Sequence, residues 1–403
     1  METHHHAPLL LERKDTVVLV KPAKPTPSKI LSFSTIDNDP NLEFVCHSVY
    51  VYKTNSGASD NGSADHDIAS KLNGKADPAC VIKDAISKVL VHYYPLAGKL
   101  KRDSRDGKLY LNCNGEGVPF LEATANCKLS SLKYLDGIDV ETAKEFVFDF
   151  PSKTDSVCDG FGASQLFRAL AELASGKSEP SVKPVWERER LVVNKSTQGP
   201  LQSPVDKNSL ATSPYLITND NILHECFTVK AGAIKRLKMS LMKECGDHEG
   251  GQMKGSLTTI EVLGAYIWRS RFRAFKLNPD GNTLLCLAMG IRHLLNPPLP
   301  SGYYGNAFVG SNSKKHSSNA NYIWSQINIL DKVRELDFKI DSDNGASMVL
   351  TDWRRLGLLE EVDFGWKGGV RVLVSLPRAA MAKFKEEMHA LSQLGGDDMN
   401  LPY

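Results

Sequence analysis

The sequence predicts an α/β protein of two domains, each with mixed sheets and flanking helices. Three observations carry this expectation. The chain has 403 residues, more than one ordinary hydrophobic core organises. Strand-like and helix-like stretches interleave in both halves instead of segregating. Between Lys177 and Asn221 the composition turns to Pro, Ser, Asn and charge with weak periodicity, a stretch too long for an ordinary loop inside one domain. The expected domains are therefore residues 1–176 and 222–403, joined by a crossover at 177–221.

The elements follow in order. Val17-Val18-Leu19-Val20 is a short apolar strand, and Pro22, Pro25 and Pro27 hold the next link extended. Leu31–Ser34 alternates at the strand period, and Cys46–Tyr52 reads as a further strand. Thr54–Asp67 is rich in Asn, Ser, Gly and Asp and reads as an exposed loop. Asp77 and Pro78 open a helix whose inner face carries Val81, Ala85, Val89 and His92. Leu109–Cys113 and Val118–Glu122 read as strands either side of the turn Asn114–Gly117, and Gly160–Gly176 as a helix with glycine at each end.

In the second half Cys226–Val229 is a strand. Thr258–Phe275 is a helix with a Thr258-x-x-Glu261 capping box and the stacked pairs Val262/Tyr266 and Leu263/Ile267. Leu284–Met289 and Val370–Leu376 are apolar strands, and Ala379–Leu394 is an amphipathic helix.

Composition excludes several classes. Apolar residues at 41% and charged residues at 24% are ordinary globular usage, so whole-chain disorder and coiled coil are poor readings. A net charge of +2 without a dense basic stripe gives no footprint for nucleic acid. No stretch reaches the apolar length of a membrane-spanning helix, and Met1–Leu10 lacks the cationic and apolar regions of a signal peptide. The eight cysteines, Cys46 to Cys286, never form a C-x-x-C pair, which points to reduced thiols and a cytoplasmic protein. His4, His5 and His6 are read as a solvated terminus, so no metal is expected.

No nucleotide-binding, metalloprotease or nucleophile-elbow motif is present. Two Gly-bracketed turns stand out. Cys158-Asp159-Gly160-Phe161-Gly162 leads into a helix and suits either an active-site turn or a structural turn capped by Asp159. Asp363-Phe364-Gly365-Trp366 alone reads as a structural turn with Trp366 packed.

Longer runs give these turns a context. They are Lys21–Pro27 with Leu31-Ser32 and Asp37, Tyr93–Leu100, Cys113–Val118, Asp159-Gly160 with Gly162-Ala163, and Pro184-Val185-Trp186 with Arg188-Glu189. Asn296–Pro300, Gly302–Asn306 and Asp363–Trp366 complete the set. In this order they resemble the plant BAHD acyltransferases, the H-x-x-x-D-type family, and the Asn296–Asn306 region resembles the branch that holds taxane acyltransferases.

The resemblance implies two chloramphenicol acetyltransferase-like domains with a channel between them. It implies acyl transfer from a CoA thioester to a plant alcohol by a cytosolic monomer, an acyltransferase moving groups other than aminoacyl groups. Acyl-CoA would be a co-substrate and no cofactor would stay bound. In the family the motif histidine takes the acceptor's proton as the heteroatom attacks the thioester carbon. Asp159 would be structural and pair with Arg292, with Gly160 completing the motif. Asp363, Phe364, Gly365 and Trp366 would be structural too, although Lys367 replaces the motif's last glycine. Thr351 and Trp353 match positions lining the channel near the acceptor, and Lys254 and Ser256 match a region that contacts CoA. Lys254 suits a solvated loop charge equally well.

The chain departs from the pattern at its centre. Four residues before Asp159 stands Asp155, not histidine, and none of the eleven histidines has Asp four residues later. Asp149–Thr154 reads as a loop where the family has an apolar strand. Two other joins are short: Lys367-Gly368 runs directly into the last strand, and Val309–Tyr322 is polar and unlike a family helix. Asp155 is a weaker base, with an ordinary pKa of about 3.9 against about 6.5 for histidine. Two readings stay open: an O-acyltransferase by descent that is impaired as written, and a non-catalytic relative or a truncated splice or gene-prediction product.

Overall fold

Alternating burial along short strands and one buried stripe per helix give this chain separate hydrophobic cores, as seen in a computed structural model. The structure describes residues 11–13, 16–39, 42, 49–50, 77–135, 144–147, 157–193, 209–215, 217–218, 221–246, 257–314, 345–354, 356 and 369–393. The chain divides into two units. The first holds Met1–Asn194, Ile291–Phe308 and Leu356–Leu358, and the second holds the rest.

In the first unit β1 (Leu11–Arg13), β2 (Val18–Val20) and β3 (Lys29–Ser32) precede α1 (Pro78–His92). Next come β4 (Lys99–Arg102), β5 (Leu109–Cys113), β6 (Val118–Phe120), β7 (Ala123–Ala125) and α2 (Gly160–Ala174). Asp77 caps α1, its carboxylate accepting from the Ala79 amide at 3.2 Å. Strand β5 buries Leu109, Leu111 and Cys113 on one face and pairs antiparallel with both β3 and β4. The β3 ladder stops at Ser32, short of the expected Ser34. The reason is local: the Ser34 amide and hydroxyl both turn to the Asp37 carboxylate, at 3.0 and 2.7 Å. Helices α1 and α2 bury Val89, Ala169 and Leu173 with Tyr93 and Tyr304. Past α2, Gly176 takes φ +90°, the left-handed conformation that ends a helix.

In the second unit β8 (Ile222–Lys230) leads into α3 (Ala231–Gly246) and α4 (Thr259–Ala274). Then follow β9 (Leu284–Gly290), β10 (Phe308–Lys314), β11 (Ser347–Leu350), β12 (Gly369–Pro377) and α5 (Arg378–Gln393). Strand β12 pairs antiparallel with β8 over nine positions, and β11 runs parallel to β9, so the sheets are mixed. Helix α4 carries the complete capping box, and Val262, Leu263, Tyr266 and Ile267 are all buried. They pack with Phe384, Met388 and Leu391 of α5.

The first unit's long segment ends at Asn194, inside the stretch 177–221 read as a crossover. Residues 177–193 of the expected crossover belong to the first unit, and the chain returns to that unit over Ile291–Phe308. Both segments are held there by side-chain bonds to buried carboxylates, which one contiguous second half does not anticipate. Most of the expected strand Cys46–Tyr52, and the loop Thr54–Asp67, lie outside the described residues. Among the described residues no helix is long and apolar enough to cross a membrane.

Thr258 accepts from the Glu261 amide at 3.3 Å while the Glu261 carboxylate accepts from the Thr258 amide at 2.7 Å. Thr258→Ala should therefore lower the stability of the second unit by about 1 kcal/mol, and Thr258→Ser should restore most of it. Urea denaturation of the full chain, followed by tryptophan fluorescence and circular dichroism, checks both.

Candidate active-site turn

Asp159 sits at the N-cap of α2 because its extended backbone (φ −78°, ψ −179°) stops just short of the helix. Its Oδ1 accepts from the Gly162 amide at 3.0 Å, satisfying a first-turn donor that would otherwise be orphaned. The helix dipole adds a favourable field for the carboxylate. Space is tight at both glycines that follow, most firmly at Gly162. A Cβ on Gly160 would strike the Leu356 side chain, and one on Gly162 would lie 2.7 Å from Cys158 Cβ.

Two further donors complete the carboxylate. Arg292 Nη2 reaches Asp159 Oδ1 at 2.5 Å, and the Ala307 amide donates to Oδ2 at 3.0 Å. Arg292 also donates to the carbonyls of Tyr303 and Gly305, at 3.0 and 3.1 Å. The guanidinium lies between Phe161 and Tyr303, 5.6 and 5.3 Å from their ring centres. A shallow depression of about 310 Å³ borders this pair, lined in part by Phe161, Gln165, Arg292, His293 and Tyr303.

A second ion pair lies deeper. Asp37 and Arg188 have side chains 0% and 1% exposed and meet at 2.7 Å. Asp37 Oδ1 accepts from the amide and side chain of Asn306, at 3.2 and 2.9 Å. Arg188 Nη2 donates to the Val157 carbonyl at 2.6 Å and stacks over Phe33 at 4.7 Å. Burial pushes the Asp37 carboxyl upward, but the Arg188 charge and the bonds from Ser34 and Asn306 outweigh it, so it titrates below the ordinary carboxylate range.

Between the two pairs, Cys158 Sγ approaches the Tyr304 hydroxyl at 3.3 Å, and burial pushes its thiol up to about 11. Tyr93 meets Trp186 and Tyr304 edge to face, Trp186 and Tyr304 are tilted against each other, and burial lifts the Tyr93 phenol to about 12. Asp159 is committed to three donors, and the thiol stays protonated at neutral pH.

The structure brings Asp159, Gly160 and Arg292 together. Thr351 and Trp353 lie together in the second unit, where the indole N–H donates to the Thr351 hydroxyl at 2.8 Å and the ring is 48% exposed. Asp155, Lys254, Ser256, Asp363, Phe364, Gly365 and Trp366 lie outside the described residues. Among the described residues no group of three His, Cys, Asp or Glu could hold a metal ion. Sequence reasoning gave no role to Asp37, Arg188 and Asn306. The Ser34-x-x-Asp37 spacing was a signal for the local turn, but a partner so distant in the chain leaves no spacing to read.

The Transferase family matches residues 13–156 and 152–335. Spermidine coumaroyl-CoA acyltransferase of Arabidopsis thaliana is 39% identical, with 98% of each chain covered. Its alignment runs over 477 positions, and this chain has 403 residues, so at least 74 positions have no residue here. Because coverage reaches nearly both ends, most of that shortfall is internal. Taxadien-5-alpha-ol O-acetyltransferase of Taxus chinensis is 28% identical over 93% of this chain and 95% of its own. The crystal structure of Vinorine Synthase superposes with a TM-score of 0.63 at 18% identity, covering 95% of this chain and 98% of that one. That likeness gives the chain the two-domain, chloramphenicol acetyltransferase-like fold of mixed sheets and flanking helices.

Two outcomes are expected at the turn. Asp159→Ala strands the Arg292 charge and two backbone donors, so it should cost about 3–5 kcal/mol in urea denaturation, and Asp159→Asn clearly less. Asp37 stabilises the fold at pH values above its unfolded pKa of about 3.9, and that contribution is lost as pH falls through its lower folded value. Asp37→Asn should therefore weaken the acid dependence of the urea midpoint measured between about pH 6 and about pH 2.

Proposed function

The chain belongs to the Transferase family, the BAHD acyl-CoA acyltransferases, and on that premise we propose that it binds an acyl-CoA but, as written, transfers the acyl group poorly or not at all. The inherited reaction joins the thioester acyl carbon to an acceptor oxygen or nitrogen. The carbon–sulfur bond breaks, and the acceptor's proton passes through a base to the departing CoA thiolate. The chain acts as a cytosolic monomer in this reading, in line with cysteines that never form a C-x-x-C pair.

One observation carries the loss of turnover. Residues 152–156, where the two family-matched stretches meet and overlap, include position 155, four before Asp159, and Asp stands there instead of His. The alignment shortfall supports the removal of internal blocks, and in this reading the strand carrying the base is one of them. Loss of a general base costs about 10²- to 10⁴-fold in rate, and loss of the strand that aims it costs further.

The acceptor has two candidates, each with its own support. Relatives at 39% and 35% identity are named for spermidine, which favours an amine and a hydroxycinnamoyl donor. Taxadien-5-alpha-ol O-acetyltransferase, at 28%, favours an alcohol. Both acceptors need the base, since an alcohol attacks weakly while protonated and an alkyl amine, with a pKa near that of lysine at about 10.4, is mostly ammonium at neutral pH.

A CoA-release assay with coumaroyl-, sinapoyl- and acetyl-CoA against spermidine and a terpenoid alcohol tests the proposal. Three purified forms are compared: the chain itself, Asp155→His, and a form with the strand and its histidine restored. The first two should release CoA at background rates, and the third should gain at least about 10²-fold. Robust release by the unaltered chain would show that another residue serves as base and overturn the proposal.

A further inference from the structure

We infer that Asp37 and Arg188 form a positioning pair that sets the entry of the active-site turn, as Asp159 and Arg292 set its exit. The inference rests on the acyl-transfer reading, because the turn it concerns is the one that carries the family's H-x-x-x-D motif.

The observations form one connected path. Arg188 spends one terminal nitrogen on Asp37 at 2.7 Å and the other on the Val157 carbonyl at 2.6 Å. Asp37 in turn takes the amide of Asn306, the residue before Ala307, whose own amide is held by Asp159. Two carboxylates therefore fasten consecutive amides of one strap, and their two arginines reach both ends of the short segment Val157–Asp159. Desolvating a carboxylate and a guanidinium this fully is costly, and an apolar pair of similar volume would serve stability as well or better. What an apolar pair cannot do is fix a carbonyl by a charged hydrogen bond. A planar guanidinium can bond a carboxylate and a carbonyl at once, whereas a lysine ammonium is a point donor on a flexible stem.

Cys158 supplies the readout. It lies between the two anchored residues, partly buried, with its thiol 3.3 Å from the Tyr304 hydroxyl. Cys113, in β5 of the same unit, is 1% exposed and reports general opening of that unit. Local release of Val157 should expose the first thiol and not the second.

The test is maleimide labelling of the full chain under native conditions, with site-resolved rates from peptide mass spectrometry. Arg188→Lys keeps the charge but cannot span both acceptors, and Asp37→Asn removes the anchor from the other side. Arg190→Lys, an exposed neighbour, is the control. Each of the first two should raise the Cys158 labelling rate by at least about tenfold and leave Cys113 within about twofold, while the control changes neither. Unchanged Cys158 labelling, or a parallel rise at Cys158 and Cys113, would overturn the inference and leave the pair a general core contact. No acyl donor is present, so this outcome is independent of whether the chain turns over.

Discussion

The Asp159 carboxylate must be satisfied where it stands, and the first unit is arranged around that need. A carboxylate 9% exposed, next to apolar rings, is tolerated only when charge and hydrogen bonds replace water. Three donors do so: the α2 amide at Gly162, the Arg292 guanidinium and the Ala307 amide. Two of these come from Ile291–Phe308, more than 130 residues further along the chain, so the carboxylate and that strap each require the other. The strap brings two of those donors to the carboxylate, and Gly162 leaves room for the Cys158 side chain beside it.

The same arrangement separates architecture from chemistry. Asp159, Gly160, Arg292 and Ala307 contact one another, backbone and aromatic rings, and none of their bonds needs a histidine at position 155. The turn's architecture is therefore independent of which residue stands at position 155. The relative aligned over 477 positions outruns the 403 residues available while both ends match, so positions are absent here as well as exchanged.

Much of the architecture was legible in the sequence where one local rule decides the outcome. The Thr258 capping box, the Asp77-Pro78 start and the alternation of Leu109, Leu111 and Cys113 each depend on neighbours a few residues away. Helix α3 was overlooked although Ile234, Leu237 and Leu241 repeat at helical spacing, because lysines and an early glycine mask the stripe. Strand β4 escaped because Lys99, Lys101 and Arg102 leave Leu100 as its only apolar residue. Within the turn, a family resemblance suggested Asp159 with Arg292, but residue chemistry alone could not separate a helix cap from an active-site residue. The structure shows why the cap could not be dismissed: the carboxylate caps α2 and pairs with Arg292 at once. Asp37 with Arg188 was illegible for another reason, since a contact between segments so far apart is decided by the fold and leaves no local pattern.

The central claim is that this fold persists without its general base, and a pH–rate profile of residual acyl transfer tests it most directly. Coumaroyl-CoA and spermidine are mixed with the chain under single-turnover conditions across pH. Without a histidine base, transfer should be slow and should climb continuously toward about pH 10, following the fraction of unprotonated amine. A rate that rises through a midpoint near about pH 6.5 and then levels, with turnover on the order of 1 s⁻¹ or faster, would show a working base in the site and contradict the account.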